Sequence, residues 1–204
     1  MVMKKLALAV LATAAAVAAQ APNALHQTID YGDDTDVHWV HHLLKFKALL
    51  AGGEADINAI GPGGQTPLVM ATLMGKTEFV KALLTHGADT SIGEQDGYTP
   101  LHAAAFQGRA EVAQLLLDHG LDPLEYHPDG FAPMHRACWG ADERHTQTVQ
   151  VFLDAGVDPN LPSNPTDGQA VQLPYQMVGS QMTLDLLRSR GAIEDARNEA
   201  KREL

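Results

Sequence analysis

The chain of 204 residues has a single cysteine, Cys138, so it cannot close an internal disulfide. It has no paired Cys and His ligands at finger spacing and no H-E-x-x-H, which removes the usual zinc folds and zinc hydrolases. Serine is scarce too. Ser91, Ser163, Ser180 and Ser189 are the full set, and none stands in a G-x-S-x-G elbow. No glycine-rich phosphate loop leads into a helix; Gly61-Pro62-Gly63-Gly64 reads as a turn. Neither catalytic residues nor a cofactor are expected. Basic residues are few as well: 14 Lys and Arg face 25 Asp and Glu, a formal charge of −11, which disfavours nucleic acid and anionic membrane surfaces and suits a basic partner.

Only the N-terminal region holds a long apolar run. Lys4-Lys5, the uncharged stretch Leu6 to Ala19 and the small-residue site Ala16-Val17-Ala18 occur in the order of a secretory signal peptide, with cleavage expected after Ala18 or Ala19. The stretch is short and alanine-rich for a membrane span, so the alternative of an uncleaved anchor is the weaker reading. Cleavage would take the charge to −13 and place the protein in the secretory pathway of a eukaryote or the periplasm of a bacterium. At the other end, Lys201-Arg202-Glu203-Leu204 is similar to the K-D-E-L retrieval signal, with arginine at the acidic second position.

Between these ends the chain repeats. Asp96-Gly97-Tyr98-Thr99-Pro100-Leu101-His102-Ala103-Ala104 returns 33 residues later as Asp129-Gly130-Phe131-Ala132-Pro133-Met134-His135-Arg136-Ala137, and a worn copy starts 33 residues earlier. Thr66 and Thr99 can cap a helix whose first residue is Pro67 or Pro100, where the missing N–H costs nothing; Pro133 repeats the position. Gly75 and Gly108 then mark the ends of short first helices. In the second helices Phe79, Val80, Leu83, Leu84 and Val112, Ala113, Leu116, Leu117 recur on one face, and Gly87 and Gly120 stop them. The Asp-Gly pairs predict tight hairpin tips.

The 33-residue period and the T-P-L-H-x-A motif resemble the ankyrin repeat. The resemblance spans residues 41–193 and is strongest over 65–160. It implies an all-α solenoid of about three full repeats with degraded N- and C-terminal caps, whose role is to bind a protein partner. The expected organisation is a signal peptide at 1–19, an irregular linker at 20–33, the repeat domain at 34–194 and a charged tail at 195–204. Phe46, Leu49, Leu50 and Gly53 match only a second helix, the N-terminal cap. The third repeat is three residues longer, near Gly140 to Glu143, and the fourth reads Ala170-Val171-Gln172-Leu173 in place of T-P-L-H, with Arg188 at a buried-leucine position. The resemblance also implies that His102 and His135 bridge backbone groups of neighbouring repeats. Cys138 aligns with Ala105 and is expected to be buried packing.

Leu73, Phe106 and Trp139 are spaced by 33, each at the end of a first helix, and Tyr98 and Phe131 share a second position beside the hairpin tip. In ankyrin repeats these positions look onto the concave, partner-binding surface. The five residues are therefore the candidate site, a continuous apolar ridge, unless the rings turn into the core or the segment after Gln20 covers them. A different class of function rests on His38, His41 and His42, where H-x-x-H-H on a helix could hold zinc with one more ligand.

Overall fold

The computed structural model describes residues 24–30, 37–53, 55–166 and 169–193. The described residues are helical, without strands: α1 (Ala24–Asp30), α2 (Val37–Gly52), α3 (Pro67–Met74), α4 (Thr77–Thr85), α5 (Pro100–Phe106), α6 (Ala110–Asp118), α7 (Pro133–Cys138), α8 (Glu143–Asp154) and α9 (Gln181–Ser189). The segments expected to be a signal peptide and a charged tail lie outside the described residues. None of the described helices is long and apolar enough to cross a membrane. The chain divides into two compact units, residues 1–100 and 101–204.

In the first unit the residues that begin and end the helices act as their chemistry demands. The Thr66 hydroxyl accepts the Val69 N–H at 3.2 Å, satisfying one of the four donors that open α3. Gly75 then turns left-handed (φ 72°), and its N–H reaches the carbonyls of Ala71 and Thr72. A side chain there would strain the backbone. Phe46 of α2 and Phe79 of α4 meet at 4.8 Å between ring centres, tilted by 58°, and both are buried. Such a pair adds about 1 kcal/mol to the area it buries.

The segment expected to be an irregular linker contains α1. Leu25 and Ile29, one turn apart, are buried, and the His26 ring bonds the carbonyl of Gln65 at 2.8 Å. Gln65 is 33 residues before Tyr98 and 66 before Phe131, so His26 makes the bond that His102 makes to Phe131. The N-terminal repeat thus has both helices rather than the second alone. Its sequence hid the first helix because Leu25-His26 lacks the preceding Thr-Pro and because the segment from His26 to Gln65 is ten residues longer than that from His102 to Phe131.

Both helix sets supply the core of the second unit, with Leu101 and Met134 buried on the first helices. Val112, Ala113 and Leu116 of α6, Val149 and Phe152 of α8, and Leu184 and Leu187 of α9 are all buried. Leu117, placed with them by pattern, is only half-buried. Before α9 the described residues form no first α-helix. A 3₁₀ turn, Pro174–Gln176, stands in its place, and Gly179 N–H bonds the Cys138 carbonyl at 2.9 Å. The outer surface of α9 is polar where Arg188 pairs with Asp185 at 3.3 Å. A polar outer surface is what a capping repeat of a solenoid presents.

Three hairpin tips repeat one hydrogen-bond pattern. The N–H of Gly61, Glu94 and His127 donates to the carbonyl four residues on, and the N–H of Gly64, Gly97 and Gly130 donates back. At Gly130 two demands coincide. Its φ is +89°, and a Cβ would lie 2.4 Å from the Asn164 carbonyl oxygen. Asp56, Asp89, Asp122 and Asp158 each accept the N–H two residues on, an Asx turn after each second helix or its equivalent.

Candidate functional site

The T-P-L-H histidines are structural. His102 donates from Nε2 to the Phe131 carbonyl at 3.3 Å. His135 donates from Nε2 to Leu161 at 2.9 Å and accepts the Ala132 N–H at Nδ1, 3.1 Å. That arrangement requires the neutral ring. The N–H that a threonine hydroxyl would cap, that of His135, goes instead to the Ala132 carbonyl at 3.0 Å. Burial lowers the His102 pKa to about 4 and lowers that of His135.

Around Phe131 the aromatic residues of the second unit are organised by a cation. The Arg136 guanidinium lies 4.4 Å from the centre of the Trp139 ring and 5.2 Å from that of Phe131, and the two rings meet edge-to-face at 5.2 Å. Arg136 is buried and ion-paired with Asp129, which also takes the His127 Nδ1 at 2.9 Å and the Phe131 N–H at 3.2 Å. Burial pushes the Asp129 carboxyl up, but the bonds from Arg136 and His127 outweigh it and its pKa is lowered. One carboxylate at the hairpin tip therefore fixes the arginine that fixes both rings.

A second anchor holds the helix ends. His145, buried at the start of α8, bonds the Phe106 carbonyl at 3.1 Å. A Cβ on Gly140 would fall 2.0 Å from the same ring. His145 thus touches the residue beside Trp139 as well as the end of α5. This brings the ends of α5 and α7 to one ring. Phe106 is left 55% exposed and Trp139 38%, while Phe131 is half-buried. Leu73 and Tyr98, at the equivalent positions of the first unit, are half-buried there.

Residues 25–127 and 91–163 match the family model for ankyrin repeats (3 copies). The chain belongs to the ankyrin-repeat family. The match begins within α1, in keeping with a first helix there. No curated protein matches the chain. Ankyrin repeats mark it as a protein-interaction module with a protein partner.

Two other candidates resolve differently. Cys138 is fully buried at the end of α7, and its thiol is pushed up to about 12 by burial, so it packs as a small apolar group. Among the described residues no group of three or more His, Cys, Asp or Glu is placed to hold a metal. The side chains of His38 and His41 lie outside them. Sequence reasoning passed over Arg136, Asp129 and His145. Arg136 had a signal: it replaces Ala103 of the previous repeat, three residues before Trp139 and seven after Asp129. His145 had none, because it stands just beyond the insertion that breaks the period.

Proposed function

We propose that this ankyrin-repeat protein is a non-catalytic binding module, exported to a secretory or periplasmic space, whose partner seats on Phe106, Phe131 and Trp139. Leu73 and Tyr98 are proposed as contact residues of the first unit. One observation carries the reading: Phe106 and Trp139 remain exposed at the ends of adjacent first helices, while other residues of both helix sets, such as Leu101, Met134, Leu116 and Phe152, fill the core. Arg136 holds Trp139 and Phe131 in place before any partner arrives, so little side-chain freedom is lost on binding.

Partner recovered by pull-down from the native compartment should bind the Phe106→Ala chain about 30-fold more weakly, the effect of a hot spot worth about 2 kcal/mol. Adding Trp139→Ala should abolish binding. Melting temperature should be unchanged by Phe106→Ala and lowered by Trp139→Ala, which uncovers Arg136. Wild-type affinity in Phe106→Ala would remove the site. Export rests on the charged start, apolar run and Ala-x-Ala order of residues 1–19. The native protein should begin at Ala19 or Gln20, and an intact mass that retains Met1 would overturn it.

A further inference from the structure

Charge is segregated by element in this chain. Across α1, α3, α5, α7 and the three hairpin tips, the only Lys or Arg is Arg136, which is buried and ion-paired with Asp129. The other described cations stand on second helices or in the turns that flank them, as Lys81, Arg144 and Arg188 do. The hairpin tips carry carboxylates instead: Glu94 and Asp96 in the first unit, Asp129 in the second. After Trp139 the pattern sharpens. The turns that follow the earlier first helices hold Lys76 and Arg109, whereas the third holds Asp142, with Glu143 opening α8, and the cation nearest to them in sequence, Arg144, is already paired with Asp142 at 3.1 Å.

We infer that the partner presents a basic peptide segment, and that an arginine or lysine side chain of that segment lies on Phe106 and Trp139 with its charge turned to Asp129. This rests on the binding face proposed above and adds the chemistry of its occupant. An aromatic ring attracts a cation to its electron-rich face, most strongly where water is displaced. Arg136 shows that this chain already uses both Trp139 and Phe131 in that way. Asp129 remains 36% exposed, so a cation can approach its carboxylate from solvent. Excess negative charge over the whole chain steers a basic segment toward it. An acidic segment would meet carboxylates with no free cation on these elements to answer it.

The test is selection of a displayed random dodecapeptide library on the immobilised full chain, followed by fluorescence anisotropy with the enriched peptides. Enriched sequences should carry net positive charge. Replacing their Arg or Lys by Gln should weaken binding tenfold or more, and Phe106→Ala should do the same. Neutral or acidic peptides that depend equally on Phe106 would overturn the basic occupant while leaving the face as the binding site. Basic peptides indifferent to Phe106→Ala and to Trp139→Ala would show diffuse charge attraction and overturn it too. A library without enrichment would also count against it, and the pull-down would then judge the face by itself.

Discussion

Asp129→Ala is expected to destabilise the second unit by about 3 kcal/mol, the low end for breaking a buried ion pair because the carboxylate itself is partly solvated. The cost falls on Arg136. Its side chain is 5% exposed, and it would keep its stacking on Phe131 and Trp139 while losing the carboxylate that neutralises it. The hairpin would lose its Asp129 bonds to the Phe131 N–H and to His127 as well. Asp129→Asn should cost less, since its amide oxygen can still accept. Exchanging the pair for apolar residues, Asp129→Ala with Arg136→Leu, should recover much of the loss, because no uncompensated charge is left behind. Urea unfolding of the four proteins checks this. A loss under 1 kcal/mol in Asp129→Ala would show that Arg136 does not depend on it, and the rings would then lack their proposed anchor.

That anchor marks the limit of what could be read from the chain alone. Helix starts and stops are local: Thr66, Pro67 and Gly75 each act on backbone groups within four residues, so their spacing carries the fold. Ladder contacts between repeats are legible for the same reason, because a 33-residue period puts His102 and His135 at one register. The first repeat escaped because ten additional residues shift its register, although His26 makes the same bond to the same carbonyl position. The ring positions could be placed by period. How Trp139 and Phe131 are held could not, since Arg136 and Asp129 enter as departures from the repeat, and a departure has no copy to confirm it.

Acidification should destabilise the second unit from about pH 6.5 downward, before most of its carboxylates titrate. His102 has its pKa lowered to about 4 from an ordinary 6.5, mainly by burial, with the charge of Arg136 and the neighbouring His127 acting in the same direction against its bond to Phe131. Between those two values the unfolded chain takes up a proton at this ring and the folded chain does not. Stability is therefore fully present above pH 6.5 and falls as the pH drops toward 4, by about 1.4 kcal/mol per unit for one such group. At pH 5 the loss from His102 is about 2 kcal/mol. His135, lowered chiefly by burial and committed at both nitrogens to the neutral ring, adds a loss of the same sign. Asp129 adds to it only at lower pH, when its depressed carboxyl is finally protonated. Urea midpoints measured at pH 7.5 and pH 5 should separate widely for the wild type. His102→Gln, which keeps an N–H donor for the Phe131 carbonyl and has no proton to gain, should lose about 2 kcal/mol of that separation. Superposed wild-type curves at the two pH values would mean that the histidines are protonated in the fold, and that the Nε2–H bridges between repeats are not neutral ones.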